Sequence, residues 1–209
     1  MRRIARHLLA LVPGLVLVQP ASAFVAAVPD VLDRLATRET ALGSEVADAE
    51  AIRPYASRDT VEWTIGAFGG AEFGITELAF LRTGIDWFVR DGFSLGLQLD
   101  VGGIRVGGTG YTGAIGSAAR LRWHFLRNDS CTVFAEVGCG VSWSGAPVPE
   151  AGTRFNFSPQ AGLGATWALG AGVRLQAMVG WFHLSNARTS SSNPGLDAVS
   201  VYGGIGIGF

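Results

Sequence analysis

From Val61 to the C-terminal Phe209 the chain repeats with a period of two, and this alternation constrains the fold more than any other feature. Eight segments carry it, at roughly 61–69, 73–90, 92–104, 113–126, 131–144, 153–168, 172–185 and 198–209. Their odd positions are mostly apolar, as in Trp63, Ile65 and Ala67; Phe93, Leu95, Leu97, Leu99 and Val101; Leu121, Trp123 and Phe125. The even positions hold small residues and charges of both signs, among them Glu62, Arg82, Asp86, Asp100, Arg120, Arg122, Glu136, Arg154 and Arg174. Successive side chains of a strand point to opposite faces, so the pattern gives eight strands, each with one apolar and one polar face.

A soluble sandwich alternates too, but it hides its apolar face and shows its charges to water. The connections separate the two cases. Short turns ("RDG", "RNDS", "LGAG") alternate with connections that are longer on average ("VGGTGY", "SGAPVPEAG", "NARTSSSNPG"). An even strand number with short turns at one end and longer loops at the other is the pattern of a transmembrane barrel. The chain has 30 glycines, and only 16% of its residues are charged. That composition suits apolar residues spread on an outer wall rather than a water-soluble surface. The expected fold is therefore all-β, an eight-stranded antiparallel transmembrane β-barrel. With eight strands the interior is just filled by side chains, so the even-position charges should form a polar core and no open pore. The aromatic Phe209 resembles the C-terminal assembly signal of bacterial outer-membrane proteins.

The first residues, "MRRIARHLLALVPGLVLVQPASA", combine a basic start, an apolar middle and an Ala21-Ser22-Ala23 ending, which reads as a signal peptide over 1–23. No later stretch has the roughly 20 uninterrupted apolar residues of a spanning helix. Residues 24–58 are charged and alanine-rich, with Val28, Leu32, Leu35, Leu42 and Val46 at helical spacing. They read as a short periplasmic extension, helical or flexible, ahead of the barrel at 59–209. A formal net charge of −1 offers no electrostatic case for nucleic acid. Cys131 and Cys139 fall eight residues apart on one strand, about 27 Å at 3.4 Å per residue, too far for a disulfide.

The last strands hold the candidate chemistry. With both termini in the periplasm, the loop between Asn186 and Leu196 is extracellular. His183 and Ser185 continue the outward parity of Leu175, Ala177, Val179 and Trp181, and Asp197 shares it on the next strand. Residues i and i+2 of a strand project from one face about 7 Å apart, within reach of an imidazole and a hydroxyl. A neutral His183 can take the Ser185 proton during attack on an ester, with Asp197 holding the imidazole in its useful tautomer. Asn186 brings amide N–H donors beside the nucleophile. A charge on the lipid face costs only about 0–1 kcal/mol near the interface, so the rim tolerates this set.

These residues carry a resemblance. "HLSNA", then "NPGLD" and an alternating strand ending in Phe, is similar to the C-terminal signature of the lipid A 3-O-deacylase (PagL-type) family. The resemblance implies an eight-stranded outer-membrane barrel that acts, without metal or other cofactor, as a serine hydrolase. Its substrate would be lipid A of lipopolysaccharide, and its product the freed 3-hydroxyacyl chain of position 3. It implies His183 as base, Ser185 as nucleophile and Asn186 as oxyanion donor. Where the family has glutamate this chain has Asp197, whose arm is shorter.

Blander readings exist for each feature. Rim residues of a barrel are often polar, so a His-x-Ser alone would be weak. His124 has lumen parity and reads as a structural partner for Glu136 or Asp100. Gly108, Gly110 and Gly113 match a phosphate-loop spacing, but a strand follows where a helix is needed. Trp63, Trp87, Trp123, Trp167 and Trp181 suit interfacial girdles. The competing functions are a non-catalytic surface or structural barrel and an esterase or phospholipase for another acyl lipid. Two barrels can also pair as a homodimer through their apolar walls, although no residues single out a contact surface.

Overall fold

The computed structural model describes residues 54–72, 76–106 and 110–209. The signal expected over 1–23 and the extension expected over 24–58, up to residue 53, lie outside the described residues. The strands are β1 (Val61–Glu72), β2 (Thr76–Arg90), β3 (Phe93–Val106), β4 (Tyr111–Arg127), β5 (Cys131–Val148), β6 (Thr153–Phe157), β7 (Gln160–Gly170), β8 (Val173–Leu184) and β9 (Leu196–Gly208). All pair antiparallel. β6 and β7 both pair with β5, so they are two pieces of one stave, interrupted at Ser158 and Pro159. β1 pairs with β9 and β4 with β5, which closes the sheet into a barrel of eight staves. The split of the strand expected over 153–168 has a local cause: Pro159 has no N–H to give to a ladder.

The end that carries both described termini has the tight turns, at Asp91–Gly92, Asn128–Ser130 and Ala171–Gly172. Gly92 and Gly172 adopt φ of 72° and 75°, a conformation glycine enters without a Cβ penalty. At the other end β5 runs on to Val148, beyond the expected limit of 144, leaving residues 149–152 as its connection to β6. Residues 185–195 make the longest connection there.

Odd positions face outward as expected. Leu97, Val137, Leu163, Val179 and Val201 are all more than half exposed on a continuous apolar wall. Such a wall has its natural contact in lipid hydrocarbon. Inside, the even positions form three layers. Nearest the termini, the turn before β1 folds into the barrel end. Tyr55 lies edge-on to Phe88 and His124, under the Arg174 guanidinium at 4.1 Å, and its hydroxyl donates to Glu62 Oε2 at 3.2 Å. Burial there, beside the Glu62 charge, holds the Tyr55 phenol well above its ordinary pKa.

The middle layer is ionic. Arg82 Nε meets Asp100 at 2.7 Å, Arg120 Nε meets Asp86 at 3.0 Å and Arg122 Nε meets Glu136 at 2.9 Å, all buried. Toward the longer loops the lumen turns apolar, with Phe68, Leu78, Phe80, Ile104, Phe182, Leu184 and Leu196 packed together. The interior is filled, but its outer part is apolar where a polar core was expected. The expected partner of His124 also needs correction. Arg122 occupies Glu136 and Arg82 occupies Asp100, so His124 Nδ1 instead bonds Thr132 Oγ1 at 2.8 Å. Arg154, of lumen parity, is exposed on β6 near the loop end.

Candidate active site

Register builds this site. β8 and β9 pair so that His183 stands directly opposite Asp197. Opposed residues of an antiparallel pair have Cβ atoms about 4.5–5.5 Å apart, so an aspartate is long enough. Its Oδ1 lies 2.9 Å from His183 Nδ1. With Nδ1–H donated to that carboxylate, the proton-accepting lone pair of a neutral ring sits on Nε2.

The same Oδ1 accepts a second hydrogen bond, from the Trp181 indole N–H at 2.7 Å. The indole and imidazole stack with centroids 5.6 Å apart and planes inclined by 26°. On the other strand, the Asp197 N–H points to Glu72 Oε1 at the end of β1, 3.4 Å away. Gly195, at φ 67°, brings bare backbone against the ring: a Cβ there would lie 3.3 Å from His183 Cε1. Neither Trp181 nor Gly195 was assigned to the site from sequence. The available signal was local, since Trp181 shares the outward parity of His183 two residues on, and Gly195 lies inside the "NPGLD" stretch.

Ser185 takes the next outward position after His183, one residue past the end of β8. Its backbone is fixed by a two-way bridge to Phe157, with N···O distances of 2.7 and 3.1 Å. The His183 N–H donates to the Pro159 carbonyl at 3.0 Å, so the stave interrupted by proline still anchors the site's backbone. The Ser185 hydroxyl is not hydrogen-bonded to the imidazole in this structure. Thus the fold unites His183 and Asp197 in direct contact and sets Ser185 on the same face, one step outward.

Asn186 has the opposite parity and is buried. Its side chain organises the loop: Nδ2 donates to the Ser192 carbonyl at 2.7 Å, and Oδ1 accepts the Arg188 N–H at 2.9 Å. Its carbonyl accepts from Thr189, and its own N–H donates to Asn193 Oδ1 at 3.0 Å. These bonds hold Ala187 and Arg188 at φ of 51° and 63° and return the chain to Gly195. No cluster of metal-binding side chains is present among the described residues.

A closed, lipid-walled barrel with a histidine–carboxylate pair and a serine on its outer rim defines a class, the small outer-membrane barrel enzymes. Within that class, the family model for lipid A 3-O-deacylase (PagL) matches residues 69–205, and the chain belongs to that family. It is accordingly a hydrolase of the bacterial outer membrane that acts on lipid A. Among solved structures, the outer-membrane enzyme PagL shares 22% identity at a TM-score of 0.49, covering 69% of this chain and 98% of its own. The N-terminal β-barrel domain of Pseudomonas aeruginosa OprF shares 13% at a TM-score of 0.49, covering 73% and 98%. The attachment invasion locus protein Ail of Yersinia pestis shares 12% at 0.45, covering 73% and 99%. No curated protein matches the chain.

Proposed function

We propose that the chain is a serine esterase that hydrolyses the 3-O-linked hydroxyacyl ester of lipid A from the outer face of its own barrel. The observation that carries this reading is the 2.9 Å His183–Asp197 contact on the outward face, one residue pair from Ser185. Rotation of the Ser185 hydroxyl brings it toward His183 Nε2, which takes the proton as Oγ bonds to the ester carbonyl carbon. The imidazolium so formed is held by the Asp197 carboxylate. Collapse of the tetrahedral intermediate breaks the bond to the sugar 3-oxygen, which leaves with the proton from Nε2. Water, deprotonated by the same nitrogen, then releases the 3-hydroxy acid and restores Ser185.

Asn186 contributes by shaping the loop, because its backbone N–H and one side-chain N–H are already engaged. Asn193 belongs to the same network, its Oδ1 accepting the Asn186 N–H. The rim position matches the depth at which acyl esters join headgroups, and residues 1–23 would serve export and be removed.

Purified protein in mixed micelles, offered lipid A in one assay and a diacyl phospholipid in another, tests the reading. The expected result is release of one 3-hydroxy acid from lipid A, with Ser185→Ala inactive. Release from phospholipid alone would mean a different esterase, and release by Ser185→Ala would remove the serine mechanism.

A further inference from the structure

We propose that Trp181 is a positioning residue of the acid–base pair, acting through Asp197 and His183; the proposal rests on the esterase reading above. From its parity alone Trp181 is one of several outward tryptophans suited to an interfacial belt. Its contacts set it apart. Among the described residues it is the only indole whose N–H reaches a carboxylate; Trp63, by contrast, donates to the Thr83 hydroxyl at 2.9 Å.

Asp197 needs such a partner. Its side chain is 60% exposed, so nothing packs it into one rotamer, and a free aspartate has three staggered choices at χ1. The indole N–H and His183 Nδ1 both bond Oδ1, and they project from positions 181 and 183 of the same strand. The rotamer that satisfies Trp181 is therefore the one that faces the imidazole. The indole also stacks on the ring, while the bare Gly195 backbone lies along its Cε1 edge. The imidazole is held in plane and tilt, and the charge it gains during attack develops against an aromatic face. A short acid held by an indole thus does the orienting.

The test compares Trp181→Phe with Trp123→Phe, both keeping an aromatic ring on the outer wall, in detergent-solubilised full-length protein with lipid A as substrate. Trp123 is outward and has no hydrogen-bond partner among the described residues, so its variant measures the loss of a belt tryptophan alone. Trp181→Phe is expected to lower kcat about tenfold, the scale of one charge-assisted hydrogen bond, with KM within about twofold of the parent. Trp123→Phe should leave both unchanged. In an Asp197→Ala background, followed over long incubations by mass spectrometry, Trp181→Phe should cost less than about twofold, because the group it acts through is gone.

A parental kcat for Trp181→Phe, an equal loss in Trp123→Phe, or full multiplication of the two losses in the double variant would each overturn the proposal. Should Asp197→Ala leave too little activity to follow, the two single variants decide. A Ser185→Ala control separates the levels. If it is inactive while Trp181→Phe works at the parental rate, only the positioning role falls; if it stays active, the esterase reading falls first.

Discussion

Asp86 lies on β2 with no exposed surface, and its removal tests whether the ionic layer holds the barrel together. It accepts from Arg120 Nε at 3.0 Å and from Arg120 Nη2, and Arg122 Nη1 stands 3.8 Å away. The fit around this pair is close. A Cβ on Gly84 would come within 2.8 Å of Arg120 Nη2, and one on Gly96 within 2.8 Å of Arg120 Nε. Asp86→Ala leaves Arg122 with Glu136 at 2.9 Å and Glu62 at 3.8 Å, but among the described residues it leaves Arg120 with only the Thr64 hydroxyl at 3.1 Å. One buried guanidinium is then uncompensated, at a cost of about 3–5 kcal/mol.

At urea slopes of about 1–3 kcal/mol per molar, the unfolding midpoint should fall by at least about 1 M. Tryptophan fluorescence of the detergent-solubilised barrel reads this directly. Asp86→Ala with Arg120→Met removes both charges and should recover most of the loss, since the penalty comes from the orphaned charge and not from a missing attraction. A single variant whose midpoint stays within about 0.2 M of the parent would refute the reasoning. So would a double variant no more stable than the single one.

Three further outcomes follow from the same geometry. Asp197→Glu should keep activity within about threefold, because opposed strand positions leave the longer acid free to fold back to Nδ1, whereas Asp197→Asn should lower kcat/KM by about a hundredfold or more, as read by acid release from lipid A. Gly195→Ala combines a left-handed backbone with a Cβ 3.3 Å from the His183 ring; it should cost about 1–2 kcal/mol of stability and lower kcat more than it raises KM, checked by melting and kinetics on one preparation. Tyr55→Ala empties the terminal end of the lumen and should destabilise the barrel by about 3 kcal/mol while leaving lipid A hydrolysis at 25 °C unchanged, since the site lies at the opposite rim.

The period of two made the staves and their outward faces legible, because side-chain alternation is a property of each strand alone. It also placed His183, Ser185 and Asp197 on one wall. Register between strands is another matter. That Asp197 stands opposite His183, and so reaches it despite the shorter arm, depends on how residues 186–195 fold, and those bonds converge on Asn186. Nothing in the local pattern distinguishes a buried loop organiser from an exposed oxyanion donor.

Parity alone makes Trp181 a belt residue, because it shows which way a side chain points and leaves its partner unspecified. The apolar outer lumen is readable in principle from Phe68, Phe80 and Phe182 on even positions, although charges of the same parity point to a polar core. The break at Pro159 is a departure from the single strand expected over 153–168, although a proline without an N–H is the local residue that explains it. His124 depended on which arginine claims which carboxylate, a choice made only in three dimensions.

The most direct measurement is the mass spectrum of lipid A from bacteria expressing the full chain or its Ser185→Ala variant. The account predicts that the parent converts lipid A to a species lighter by one 3-hydroxyacyl group and that the variant, assembled at equal level in the outer membrane, leaves it intact. Equal conversion by the two would contradict it.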